Sequence, residues 1–324
     1  MSAPYAVDPA DEARHTPDAE DLWNESYYCD FVQSDGSFGG WLRLGLYPNR
    51  EVAWWTAWIV RPGAPGLCAA DYTAPVPPGD GLVSTSDSVG RVELDLRRPL
   101  EEFRLVADSP AVVVAKPSDA YREKKGVTPG TPSRLGTDLT WFTDGVPYHY
   151  GVTTRYEIPC TVRGTVTVGD ETLHVDGQGQ RDHSWGVRDW WAFGWCWCSL
   201  RLDDGTRVHL ADIRVPGMPM FFGYVQTPDT VAPLNALSVT EDVVQHGFPR
   251  QARIDLTAGA LGGGDAAPAR ALGLDITPVA FGPVLLRNDD GRTSRFPRAM
   301  LECRADDGRR GMGWIEWNQP DSPT

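Results

Sequence analysis

Hydrophobic and polar positions alternate along most of this chain in short runs, each closed by Gly, Pro, Asn or Asp. That is the period of a half-buried β-strand. In the first half it predicts strands over 38–47, 50–60, 91–96, 103–107 and 111–115. In the second half it predicts 148–157, then 161–168 joined by a Gly169-Asp170 turn to 172–176. Further on come 192–202 and 206–215 about Asp203-Asp204-Gly205, then 299–305 and 310–317 about Asp306-Asp307-Gly308. Helical spacing is scarce: only 101–106 and 118–125 have room for a short turn of helix. The stretch 261–271 is a Gly/Ala loop without the spacing of a phosphate-binding loop. Both halves read as consecutive antiparallel strands. The predicted fold is therefore all-β, two β-barrel or sandwich halves over 21–145 and 146–324 behind a mobile acidic tail of residues 1–20.

Composition narrows the function classes. The 324 residues, 41% of them apolar, are enough for a sizeable core. Acidic residues outnumber basic ones by 44 to 30, a net charge of −14, which argues against nucleic acid or an anionic membrane surface as partner. No apolar run reaches the ~18 residues of a membrane span. The polar N-terminus lacks a basic region followed by an apolar one, so a cytoplasmic protein without stable membrane insertion is expected, as monomer or homodimer. Six scattered cysteines fit reduced thiols in that compartment.

The densest chemistry lies in Gly177-Gln178-Gly179-Gln180-Arg181-Asp182-His183-Ser184-Trp185-Gly186, followed by Arg188-Asp189-Trp190-Trp191. Charges held among large aromatic rings are the mark of a pocket. In an extended strand, Gln178, Gln180, Asp182 and Ser184 share one face, and Arg181, His183 and Trp185 the other. Asp182 is the candidate acid: walled by aromatic rings it would be desolvated and keep its proton. Pairing with Arg181 or Arg188 is the alternative. His183 is a second acid or base, an orienting partner of Asp182, or a structural histidine. Asp189 is a salt-bridge partner or a site carboxyl. Glu157, beside Tyr156 on a strand expected next to the motif, is a second buried carboxyl or an edge charge. Alternation also puts Trp191, Phe193, Trp195 and Trp197 on one face, an aromatic wall for a substrate, with small residues including Cys196 and Cys198 on the other. His149, His174, His183 and His209 have no metal-ligand spacing, so neither metal nor cofactor is expected.

The segment Gly179-Gln180-Arg181-Asp182-His183-Ser184-Trp185-Gly186 resembles, with one residue fewer between its Gly and its Asp, the Gly-x-x-x-Asp-His-x-x-Gly signature of the lipocalin-related group of carotenoid hydratases and AttH-like proteins. The stretches 23–28, 39–49 and 156–164 are similar to segments of the same group, the last where a second barrel would begin. The resemblance implies two lipocalin-like halves and an aspartic acid, at the position of Asp182, that protonates an isoprenoid double bond. Chemistry agrees with it. Protonating such an alkene needs a neutral acid in a dry site, and the tertiary cation is stabilised by aromatic faces at ~0.5–2 kcal/mol per well-placed ring. Water or a second double bond would then quench the cation, giving hydration or cyclisation. The rival readings are a non-catalytic lipocalin-like carrier of a hydrophobic small molecule and a pericyclic or isomerising enzyme.

Overall fold

A computed structural model describes residues 6–123, 127–227, 230–243, 247–259 and 270–321. Strands make up 68% and helical turns 5%, so the fold is all-β, as the short alternating runs predict. Two compact units form, Met1–Asp189 and Trp190–Thr324.

The first unit opens with a 3-10 turn, Pro9–Glu12, capped by the Asp8 side chain, which accepts from the Ala10 N–H at 2.9 Å. Its strands are β1 (Trp23–Gln33), β2 (Gly39–Tyr47), β3 (Val52–Val60), β4 (Gly66–Pro75), β5 (Val83–Ser86) and β6 (Gly90–Arg98). They continue with β7 (Glu102–Val114), β8 (Thr131–Thr143), β9 (Tyr148–His149), β10 (Arg155–Val168) and β11 (Glu171–Val187). The order β4-β3-β2-β1-β11-β10-β8-β7 closes on itself because β4 also pairs with β7, which gives an eight-stranded antiparallel barrel. Phe31, Leu42, Trp55, Trp141 and Ile158 are among its core residues.

The second unit holds β12 (Gly194–Leu202), β13 (Arg207–Val215), β14 (Met218–Thr227), β15 (Thr230–Val243) and β16 (Pro249–Ala258). After these come β17 (Arg270–Phe281), β18 (Val284–Arg287), β19 (Thr293–Phe296), β20 (Arg298–Ala305) and β21 (Arg310–Pro320). Here β12 pairs with β21 and closes a second ring of β12-β13-β14-β15-β16-β17-β20-β21. Its core gathers Leu210, Ile254, Leu274, Leu301 and Trp317. Among the described residues no helix is long and apolar enough to cross a membrane.

Three expectations are corrected. The division falls after Asp189 rather than after residue 145, because β10 and β11 pair with β8 and β1 and complete the first barrel. Residues 156–164 therefore end one barrel instead of beginning another. From residue 6 onward the N-terminal segment is no tail: Glu12 is buried, Arg14 donates to the carbonyls of Pro77, Gly79 and Gly81, and Asn49 donates to those of Asp18 and Glu20. The helical turn expected over 101–106 is part of β7, where Phe103, Leu105 and Ala107 enter the core at strand spacing. The turn expected over 118–125 is the 3-10 helix Pro117–Arg122, its last two positions lying outside the described residues. The loop expected over 261–271 lies outside them up to residue 269.

Candidate active site

Strand β11 carries the motif and lies between β1 and β10. Its glycines make this possible. A Cβ on Gly177 or Gly179 would run into the backbone carbonyl of Val32 or Asp30 on β1. The register sets Tyr27 and Tyr156 on either side of His183, and Tyr28 and Glu157 on either side of Asp182. Alternation then sends these two rows to opposite faces.

The row of His183 faces the barrel core, where Tyr27 and Tyr156 belong to the core cluster and Trp185 packs against it. The Tyr27 ring stacks on His183 at 4.1 Å, and His15 stacks on Trp185 at 3.8 Å. Hydrogen bonds join six titratable side chains in one chain. Glu12 Oε1 accepts from Arg181 Nη1 at 2.7 Å and from the Tyr156 hydroxyl. That hydroxyl is 3.1 Å from His183 Nδ1, and His183 Nε2 is 2.8 Å from Glu25 Oε1. Glu25 also meets His15: Oε1 lies 2.7 Å from His15 Nδ1, and Oε2 accepts the His15 backbone N–H at 2.7 Å. The Tyr27 hydroxyl, Glu12 Oε2 and Arg181 Nε and Nη2 are buried and find no partner among the described residues. Unmet groups of this kind await a ligand or water.

Electrostatics follow from these contacts. Burial pushes the Glu12 carboxyl up, but the charge and hydrogen bond of Arg181 and the Tyr156 hydroxyl outweigh it, so it sits below its ordinary range. Glu25 behaves alike: burial raises it, and hydrogen bonds from His15 and His183 bring it below normal. His15 moves the other way, since burial lowers it and Glu25 and Asp11 more than compensate. Burial pushes the Tyr27 phenol up.

The row of Asp182 makes a separate network. Arg155 Nη2 donates to Asp182 Oδ2 and Arg155 Nε to Glu157 Oε1, each at 2.8 Å. Glu157 also accepts from the Tyr150 hydroxyl at 3.0 Å and from Gln180 Nε2 at 2.9 Å. Burial and the charge of Arg155 push the neighbouring Arg188 down to about 10. Asp182 is thus buried and ion-paired with Arg155. Glu157 is the second buried carboxyl, across the ladder from it. His183 cannot orient Asp182, because consecutive strand residues point to opposite faces. Asp189 follows β11 and is partly exposed.

The expected four-ring wall is two rings on a strand and two before it. Trp195 and Trp197 share a face of β12, opposite Cys196 and Cys198, which enter the core of the second barrel. Trp191 and Phe193 precede β12, with Trp191 in a turn whose indole N–H donates to the Leu286 carbonyl at 3.3 Å. Trp195 gathers instead with Trp190 and Phe296, and Trp197 lies against His209.

Sequence reasoning passed over Glu12, His15, Glu25, Tyr27 and Arg155. The first two sit in an acidic, aperiodic stretch. The others become visible only once the partners of β11 are known. His15, Glu25 and His183 bring three ligand atoms within 4.8 Å of one another, a set that spacing along the chain could not reveal. A metal ion would have to displace the protons that now join them.

A family model described as a domain of unknown function, DUF7064, matches residues 8–321. No curated protein sequence matches the chain. Among solved structures, the AttH-like protein NE1406 of Nitrosomonas europaea aligns with a TM-score of 0.62 and 14% identity over 96% of both chains. Kievitone hydratase of Nectria haematococca gives 0.61 and 10% identity over 92% of this chain and 90% of its own. CghA gives 0.53 and 10% over 93% and 88%. Identities this low speak for a shared fold.

Proposed function

The chain belongs to the DUF7064 family, and we propose that it is a hydratase, dehydratase or cyclase of a hydrophobic small molecule, acting by proton transfer. The observation that carries this reading is the buried chain Glu12–Tyr156–His183–Glu25–His15 with unmet polar atoms beside it. Kinship of fold with a kievitone hydratase supports the reaction class. Tyr156 gives its proton to an alkene carbon, or to a departing hydroxyl, and takes the Nδ1 proton of His183. A carbocation remains, beside the faces of Tyr27 and Trp185. Water forms the new C–O bond and returns a proton through Tyr156 to His183, or a second double bond closes a ring; there, as after departure of a hydroxyl, a C–H proton beside the cation leaves to form the alkene and returns through Tyr156 to His183. An isoprenoid or terpenoid, with its trisubstituted alkenes and tertiary alcohols, is the substrate class that suits such a cation.

A second reading keeps the acid at Asp182. It is supported by the carboxylate pair itself, Asp182 and Glu157 bridged by Arg155, since carboxylates held close favour keeping a proton on one of them. Against it, the guanidinium favours an ionised Asp182. One experiment separates these readings from a carrier. The protein is incubated in deuterated water with a panel of prenyl alcohols and terpenes. Carbon-bound deuterium is the expected result, and a ligand recovered unchanged throughout makes the protein a carrier. Tyr156→Phe or His183→Gln should lower turnover by ~10²–10⁴-fold, the usual loss for a general acid. If those variants retain activity and Asp182→Asn loses it, the acid lies on the other face.

A further inference from the structure

We propose that Arg181 is a substrate-binding residue, the Nε–Nη2 edge of its guanidinium taking a neutral carbonyl oxygen on an otherwise hydrophobic substrate. Arg181 is 3% exposed and shares the inward row of His183 and Trp185 on β11. In register it is flanked by Cys29 on β1 and Ile158 on β10, both members of the core cluster. The Phe103 ring centre lies 5.4 Å from its guanidinium carbon. None of these three side chains is a strong acceptor. A guanidinium carries five N–H donors, and burying it without partners is costly. Glu12 Oε1 takes Nη1 at 2.7 Å. Nε and Nη2 are buried and meet no acceptor among the described residues.

The chemistry of that edge says what would meet it. Nε–H and Nη2–H lie side by side in a rigid plane, a fork that closes on a single acceptor group. The charge is already balanced, since Arg181 and Glu12 are an ion pair whose side chains are 4% and 1% exposed. An anion on the fork would be a further buried charge with no cation of its own. Glu25, joined to Glu12 through Tyr156 and His183, already brings a second carboxyl into the same interior. The fitting group is therefore an uncharged oxygen, the carbonyl of a ketone, ester or lactone. A plain hydrocarbon would seal both donors from water and replace none of their hydrogen bonds. Tyr156 and Arg181 donate to the same Glu12 oxygen, so the fork and the phenol are neighbours. The carbonyl end of the substrate would thus be held beside Tyr156.

This deepens the proposed function, from which it takes only that the first barrel receives a hydrophobic molecule; its readouts are affinity and a vibrational frequency, not turnover. Three probes share one isoprenoid tail: farnesene, methyl farnesoate and farnesic acid. Each is titrated into the full chain at mildly alkaline pH, where the acid is ionised, and followed by tryptophan fluorescence. Methyl farnesoate should bind ~10–100-fold more tightly than farnesene, the worth of a hydrogen bond to a charged donor, and more tightly than farnesic acid. The combined variant Glu12→Gln, Arg181→Met removes both charges together, so neither is left unpaired. In it the preference for the ester should vanish. With ¹³C in the ester carbonyl, the bound C=O stretch should lie lower in the unmodified protein than in the variant, because hydrogen bonding weakens that bond. Equal affinity for farnesene and the ester means that water meets the fork, and overturns the proposal. So do tightest binding of farnesic acid, no binding of any probe, or a preference retained in the variant. Should the variant fail to fold, the ranking in the unmodified chain and its carbonyl band, compared with the ester in hexane, decide. Ester clamped in this way by a protein that puts no deuterium on carbon would leave this proposal standing and sink the proposed function. Deuterium on carbon with no preference for the ester would do the reverse.

Discussion

Glu12 and Glu25 keep their charge inside a barrel, where burial by itself would protonate them. Each is held below the ordinary 4.5 in the folded chain, so the stability it contributes is complete above that value. It is lost as pH falls through the lowered ones. His15 has the opposite sign. Its folded value lies above 6.5, so its contribution is complete below 6.5 and lost as pH rises through the raised value. Melting temperature followed against pH should therefore fall on both flanks. His15→Gln should flatten the alkaline flank and, because His15 helps hold Glu25 down, also weaken the acid one; an alkaline flank unchanged in that variant would refute the assignment. At this scale the sequence was partly legible. Alternation along 178–185 sorted Asp182 and His183 to opposite faces, and the structure keeps that order. The partners were out of reach, because nothing near Asp182 in the sequence points to Arg155, nor anything near His183 to Glu25.

Strand β11 works as an element because its two neighbours come close. The carbonyls of Val32 and Asp30 fill the space that a side chain at 177 or 179 would need, and backbone cannot step aside as a flexible side chain can. Gly179→Ala should therefore cost about 1–3 kcal/mol, as overpacking does, read as a shift in urea midpoint. Gly205→Ala, at a turn with nothing near its Cβ, would carry only the strain of a positive φ. A smaller loss at 179 than at 205 would contradict the close approach. Turn chemistry was the most legible feature: Gly169-Asp170, Asp203-Asp204-Gly205 and Asp306-Asp307-Gly308 each join consecutive strands as expected. Patterning misled at Trp191 and Phe193, where spacing of two continued the period of β12 backwards into a turn. It was silent on Pro9–Glu12, whose burial depends on Arg181 and Tyr156 rather than on any period of its own.

At the scale of the whole molecule, the boundary after Asp189 has a direct test. A fragment ending at residue 189 contains every strand of the first ring and should fold, giving a dispersed NMR spectrum. One ending at residue 145 lacks β10 and β11 and should not. Reversal of that order would restore the earlier boundary. Similar local patterning in both halves predicted two barrels, but where one ring ends depends on which strand meets β1, and that pairing is not local. The closure itself has a consequence for how the chain is made. Trp23 lies opposite Val187, so β1 leaves the ribosome before every other strand of its barrel and must wait for almost the whole first unit before its second neighbour exists. Until then its open edge can recruit any strand that passes. Translation that slows before residue 187 should therefore raise the aggregated fraction of newly made chains, whereas a pause after it should not.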